Sequence, residues 1–376
     1  MLALVKLNAV KLKAMDFGGR QSRVRTALNH HRLDGLLITH LPNIRYLCGF
    51  TGSAGLLFIT QGTTVFFTDG RYREQAYTEV EVSQVVIAKK AVLVAVGEWL
   101  TANYGKPGLR RIGFESEHIS VAQRKRLGMN LPSALQLREA PPVIEQARQI
   151  KDSCEIQAIR SAADLGARLF QSLVRNLRPG TAETEVAAKL EFAARKAGAE
   201  AMSFETIIAS GLRSALPHGR ASRRTIPARG FVVCDFGVIL ASYCSDMTRT
   251  LYMGHPTAQA RSLYEAVQEA QDSAVQSVQP GVSLGEVDRA ARKILQKRGL
   301  GRYFTHSTGH GVGLEIHEPP RVAADQKEKL APGMVITIEP GVYIPGKWGV
   351  RIEDMVLVTE RGCEILTPTT KELIAL

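Results

Sequence analysis

The stretch Phe304-Thr-His-Ser-Thr-Gly-His-Gly-Val-Gly-Leu-Glu-Ile-His-Glu-Pro-Pro320 threads His306, His310 and His317 between glycines at 309, 311 and 313. Glycine at that density lets the backbone pass close to something bulky or adopt φ > 0. No helical pattern follows, so this is not a dinucleotide fingerprint. Ser307 after His306 excludes the H-E-x-x-H zinc helix. Alone, the stretch reads as a glycine-rich loop with surface histidines. Its meaning comes from its place between two pairs of extended segments, each pair bearing two carboxylates.

The first pair is predicted over Phe231–Phe236 and Tyr243–Thr250, and it carries Asp235 and Asp246. The second is predicted over Met334–Glu339 and Val350–Thr359, and it carries Glu339 and Glu353. Each acid is expected within an otherwise apolar strand. Alternate side chains of a strand share a face, and antiparallel pairing brings neighbours within about 5 Å. Four carboxylates converging in a cleft cannot all ionise without cations. With His310 they make four oxygen donors and one nitrogen donor. Two divalent ions that share bridging carboxylates satisfy such a set and supply a bridging hydroxide for hydrolysis. The donor types suit Mn(II), Co(II) or Zn(II) alike.

Around these segments runs a faint internal repeat. Val278-Gln-Pro-Gly281, Glu286-Val287 and Lys297-Arg-Gly299 echo Leu177-Arg-Pro-Gly180, Glu185-Val186 and Lys196-Ala-Gly198 at an offset of 101. Ser283 and Glu286 form a capping box for the second helix. Long amphipathic helices are predicted over roughly 151–177 and 182–197. Two helix-helix-hairpin units facing each other across a central cleft account for the pattern.

The preceding half differs. A helix at Arg20–Arg32, strands at Gly35–Thr39, Gly55–Thr60, Thr63–Thr68, Gln84–Ala88 and Arg111–Glu115, and a helix at Ala91–Asn103 describe an α/β domain. Asp69-Gly70 reads as a turn. No catalytic constellation is visible in this half. Ala140-Pro-Pro142 breaks the pattern, so the expected domains are 1–142 and 143–376.

Composition limits the function classes. Hydrophobic content of 45% and charged content of 22% describe a globular protein. No apolar run reaches membrane-spanning length. Five cysteines without a C-x-x-C pair argue against a disulfide framework or a cysteine metal site, and for a reducing, cytoplasmic setting. The net charge of +12 is spread along the chain without a Lys/Arg run or interleaved aromatics, so nucleic-acid binding is not expected. Residues 1–15 hold three lysines and no acid, which leaves a targeting segment open.

Together the pieces resemble the pita-bread metallopeptidases, the family of methionine aminopeptidase, aminopeptidase P, prolidase and creatinase. The resemblance runs from about residue 20 to 370. It implies a creatinase/prolidase-type α/β N-terminal domain. After it comes an α+β pita-bread catalytic domain with an internal pseudo-two-fold duplication. By that resemblance Asp235 would hold one metal, His310 and Glu339 the other, and Asp246 and Glu353 would bridge both. His218 matches the family's substrate-side histidine, and His317 the one that meets the scissile carbonyl or its oxyanion. Glu339 would also shuttle a proton to the leaving nitrogen. His306 and Arg351 match residues that shape or brace the site. The intact donor set speaks against creatinase, which works without metal. The segments Asn43–Gly55 and Thr68–Ala76 look like those of bacterial Xaa-Pro peptidases, and methionine aminopeptidases generally lack this domain. The resemblance therefore implies a two-metal Xaa-Pro aminopeptidase acting on peptides with proline at position 2, with Mn(II) as the favoured ion. It also suggests a homodimer or larger assembly. Prolidase is the rival activity, and a non-catalytic RNA- or protein-binding member of the fold is the rival from another class.

Overall fold

The computed structural model describes residues 15–103, 109–129, 131 and 133–376. All but Met15 of the segment considered as a targeting signal therefore lies outside the described residues. Packing divides the chain into two units, with the division between Arg148 and Gln149. That is beyond the Pro141-Pro142 break. The helix Val143–Gln149 belongs with the first unit because its polar residues are bonded there. Arg148 Nη1 donates to Asn43 Oδ1 at 2.8 Å, and Glu145 accepts from Asn43 at 2.5 Å and meets His118 at 3.2 Å. Pro-Pro thus opens the last helix of the first unit rather than the second unit.

The first unit is a six-stranded mixed sheet with helices. Its order is Gln84–Ala88, Thr64–Asp69, Leu56–Thr60, Gly35–Ile38, Arg111–Glu115 and Gln136–Ala140. The central strands are buried throughout, as Leu36, Leu37, Ile38, Phe58, Phe66 and Phe67 show. Apolar runs of this kind belong to strands covered on both faces. The predicted strands agree to within a residue at each end. The strand Gln136–Ala140 escaped the reading because it is a largely exposed, polar edge. Asp69 does make a turn: its carboxylate caps Arg71 N–H at 3.0 Å and starts a short 3₁₀ segment.

In the second unit the repeat is real in three dimensions. The helices Glu183–Lys196 and Leu284–Lys297 are each 14 residues long. Gly180 and Gly281 ahead of them adopt φ of +83° and +84°, a conformation that favours glycine. Each donates its N–H to a carbonyl of a neighbouring segment at 2.8 Å, Ile226 and Leu330 respectively. A longer helix precedes each, Ser153–Asn176 and Ala258–Gln276. The first starts with an Asp152/Glu155 capping box, and the expected Ser283/Glu286 box opens Leu284–Lys297.

The strands of the two halves are built alike. Gly230–Phe236 pairs antiparallel with Met247–Met253, and Val335–Ile338 with Asp354–Val358. The expected longer strands are broken, however. Tyr243-Cys244 pairs with Val238–Leu240, and Gly349–Arg351 pairs with Gly341–Tyr343. Asp246, Glu339 and Glu353 therefore sit in breaks or at strand ends, and only Asp235 lies within a strand. Released from the strict alternation of a strand, these residues can all turn toward one point.

Each half also uses a buried helix carboxylate to hold its active loop. Glu183 accepts from the N–H and hydroxyl of both Ser210 and Ser222, and from Arg213. Asp288 accepts from the N–H and hydroxyl of Thr308 and from Arg292, whose guanidinium also donates to His306 O. The two halves are joined where Glu353 N–H donates to Thr248 O at 3.1 Å. Beside it Arg249 donates to Glu353 O and pairs with Asp354 at 2.7 Å, both side chains being only 1–2% exposed. Removing one partner of such a pair strands a buried charge, at about 3–5 kcal/mol. Asp354→Ala should therefore lower the stability of this unit by about that amount in urea unfolding, and a loss below about 1 kcal/mol would show the pair to be dispensable.

Candidate active site

One cleft of about 860 Å³ in the second unit is lined by all nine side chains singled out from sequence. These are Asp235, Asp246, His310, Glu339, Glu353, His218, His306, His317 and Arg351. The glycines of the opening stretch are needed for close approach, not for unusual φ. A Cβ on Gly309 would lie 1.8 Å from Thr337 O, and one on Gly311 2.4 Å from Pro319 O. With glycine there, the chain lies flat against the second-half sheet and delivers His310 to the carboxylates.

His310 Nδ1 lies 3.0 Å from Gly311 O and donates to it. That tautomer turns the Nε2 lone pair toward Glu339 Oε1 at 3.4 Å and Asp246 Oδ2 at 3.7 Å. Burial, aided by neighbouring His317, lowers the His310 pKa to about 4, so the ring is neutral and able to ligate. Potential ligand atoms of Asp246, His310 and Glu353 all lie within 4.8 Å of one another. Three of the four carboxylates, all but Asp246, have one oxygen committed or partly committed. Arg351 Nη2 donates to Asp235 Oδ2 at 2.5 Å, Thr248 to Glu353 Oε2 at 2.7 Å, and Thr337 to Glu339 Oε1 at 3.3 Å.

The remaining oxygens decide what the cleft can hold. Asp235 Oδ1, Asp246 Oδ1 and Glu353 Oε1 are buried without a hydrogen-bond partner. Orphaned buried acceptors are costly. Burial, reinforced by mutual repulsion, pushes the Asp246 and Glu353 pKa values well up. Burial also raises Glu339 to about 8, with Asp235 adding to the rise and Arg351 opposing it. Of the four acids only Asp235 is bonded to a guanidinium, that of Arg351, so the donor set fits divalent cations, which would take up the bare oxygens and offset the remaining charge.

Sequence reasoning missed the residues that hold this set in place. Tyr343 O–H lies between Arg351 Nη1, which donates to it at 2.6 Å, and His306 Nε2 at 3.1 Å. Since His306 Nδ1 donates to Ser307 O at 2.8 Å, Nε2 accepts from Tyr343. Burial lowers the His306 pKa to about 4 and that of His317 less, so both present neutral rings. The His317 ring packs edge-on to His310 with centroids 4.3 Å apart. Phe204, Ile207 and Pro217 line an apolar side of the cleft, and Arg321 lies on its wall, opposite His310 in cross-strand register. Of the arginines near His218 in sequence, Arg213 is taken up by Glu183, and Arg220 pairs with Glu205 at 2.9 Å. Their spacing along the chain carried no sign of this.

Known proteins resemble this chain along most of its length. Residues 157–360 match the model of metallopeptidase family M24, and residues 20–150 match the creatinase/prolidase N-terminal domain. The chain belongs to metallopeptidase family M24. It is therefore a hydrolase of the pita-bread fold, with the N-terminal domain that the sequence resemblance implied. A Xaa-Pro dipeptidase of Pyrococcus horikoshii is 38% identical over 353 residues, covering 92% of this chain and 96% of that protein. The structure of a Xaa-Pro dipeptidase from Bacillus anthracis superposes with a TM-score of 0.92 at 38% identity, covering 96% of this chain and all of the other. That of an X-Pro aminopeptidase from Thermotoga maritima gives 0.86 at 34%, covering 95% and 100%. Among the described residues no helix is long and apolar enough to cross a membrane.

The raised carboxyls make a pH-dependent prediction. In the metal-free chain they stay protonated in the folded state when unfolded carboxyls have ionised. For Glu339 the stabilising contribution is present below about pH 4.5 and is lost as pH rises through about 8, and Asp246 and Glu353 act in the same direction. The unfolding midpoint of chelated protein should fall across that window, while excess Mn(II) holds it up, so the difference widens with pH. Equal midpoints at pH 8 with and without cation would contradict this.

Proposed function

We propose that this chain is a two-metal Xaa-Pro dipeptidase. The observation that carries the choice is Arg321. It is exposed on the cleft wall in register with His310, and it makes no ion pair with the described residues. A dipeptide ends in a free carboxylate next to proline, and a fixed guanidinium is the group suited to receive it. The sequence resemblance favoured an aminopeptidase, and the arginines around His218, at 213, 220, 223 and 224, lie in a stretch rich in Gly, Ser and Ala without a packing pattern to hold one rigid. Arg321 stands on the strand Glu318–Val322, whose backbone is paired with Gly309–Gly311, and the two dipeptidase relatives support the same reading. The likeness to the Thermotoga maritima aminopeptidase keeps that activity as the second reading.

Asp235, Asp246, His310, Glu339 and Glu353 would hold two divalent cations, with Asp246 and Glu353 reaching both. When bound, the ions would polarise the scissile carbonyl and make water nucleophilic at neutral pH. The protein's own groups do the rest. Phe204, Ile207 and Pro217 give the proline ring an apolar wall. A bond to proline has no N–H, so the slot needs no acceptor for one. His317, neutral, donates N–H to the carbonyl oxygen as charge develops there. Glu339 takes the proton of the attacking water and returns it to the imino nitrogen as the C–N bond breaks. His218 stands at the substrate side of the cleft. Tyr343 and His306 hold Arg351 against Asp235, keeping that carboxylate aimed.

One comparison separates the two readings. The free dipeptide Xaa-Pro should be cleaved faster than its C-terminal amide by about tenfold or more in kcat/KM, some 1.4 kcal/mol. Arg321→Ala should erase that preference, mainly through KM, without lowering metal content. Faster cleavage of the amide or of Xaa-Pro-Yaa would move the protein to the aminopeptidases.

A further inference from the structure

We propose that Lys151 and Glu318 form a positioning pair that sets the His317 ring in the cleft, a role that rests on the function of His317 proposed above. Lys151 Nζ lies 2.8 Å from Glu318 Oε1, and the two side chains are 1% and 3% exposed. Nζ also donates to Gln149 O at 3.4 Å. Glu318 directly follows His317 and borders the cleft, whereas Lys151 is not among the residues lining it. The lysine therefore acts through the glutamate.

The surroundings fix both ends of the pair. Lys151 N–H donates to Gly333 O at 2.9 Å, in the turn that leads into Val335–Ile338 and Glu339. Glu318 pairs with Gly311, next to His310, and the register shifts at that point. The carboxylate fills the space under the returning loop: a Cβ on Gly313 would fall 2.3 Å from Glu318 Oε1. Gly313 O in turn accepts from Cys244 N–H at 2.8 Å, close in sequence to Asp246. The loop from Gly313 to His317 is thus closed over the buried Glu318 carboxylate, which the buried Lys151 ammonium meets at 2.8 Å.

Energetics favour a specifying role. Two charges taken out of water gain little over a well-packed apolar pair of similar volume. What they add is direction, because a charge-assisted hydrogen bond fixes the geometry of both partners. An imidazole must stand within a few tenths of an ångström of its productive place to serve a developing oxyanion. The loop that carries His317 leaves the short strand Gly309–Gly311 through Gly313, which gives it no side chain to pack at its start.

The test uses the full-length, metal-loaded protein as Lys151→Met, Lys151→Arg and the apolar double variant Lys151→Met/Glu318→Leu. Lys151→Met should lower kcat on Xaa-Pro at least about tenfold with metal content unchanged and KM within about twofold. Lys151→Arg should recover much of the loss. Amide exchange over 312–318 should rise at least about tenfold in Lys151→Met while the helix Glu183–Lys196 keeps its protection. The double variant should regain the unfolding midpoint but not kcat, and it carries the test if Lys151→Met does not fold. Wild-type kcat in Lys151→Met or in the double variant, loss of activity that merely tracks loss of metal, or exchange that rises everywhere would overturn the proposal. A wild-type protein that cleaves no Xaa-Pro peptide would refute the functional reading alone, and the exchange measurement would still decide the pair.

Discussion

Four carboxylates share one cleft, only Arg351 among its arginines is bonded to one of them, and the rest of the catalytic unit is arranged around that excess of negative charge. Arg351 and the hydroxyls of Thr248 and Thr337 each engage one carboxylate oxygen. Three buried oxygens are left without a partner. Leaving buried acceptors bare costs more than any nearby hydrogen bond returns. A chain that keeps such a set is therefore organised for cations. The neutral state of His310, enforced by burial, and its tautomer, set by the hydrogen bond from Nδ1, follow from the same constraint, since an imidazolium there could not ligate.

The fold meets that demand twice over. Each half brings a glycine-turned helix pair, a buried helix carboxylate and an antiparallel strand pair to the cleft. Glu183 grips Ser210 in one half, and Asp288 grips Thr308 in the other, each taking both N–H and hydroxyl. The halves meet at the Glu353–Thr248 backbone bond, flanked by the buried Arg249–Asp354 pair. A rigid support of this kind is what lets acids that repel one another be held within a few ångströms.

Much of this was legible in the chain because it is written in local patterns. Apolar strands, the Pro-Gly turns at 180 and 281, the Ser283 capping box and the sparse acids in apolar runs are all short-range signals. What escaped depended on register and on distant pairing. Three of the four acids stand at strand breaks, and a period-2 reading cannot see a break made by tertiary contacts. Arg321 reaches the cleft only because the strand Glu318–Val322 folds back on Gly309–Gly311. Lys151 and Glu318 are 167 residues apart and meet only in the folded chain. The division of the units was misplaced because Pro141-Pro142 starts a helix whose partners, Asn43 and His118, lie far upstream.

The account stands or falls on what the bare carboxylate oxygens hold. The direct measurement is the number of divalent ions bound per chain, by elemental analysis of protein equilibrated with Mn(II) at pH 8 and freed of excess. Two ions per wild-type chain, falling in Asp246→Asn, is the result the site predicts. One ion or none in the wild type would contradict it.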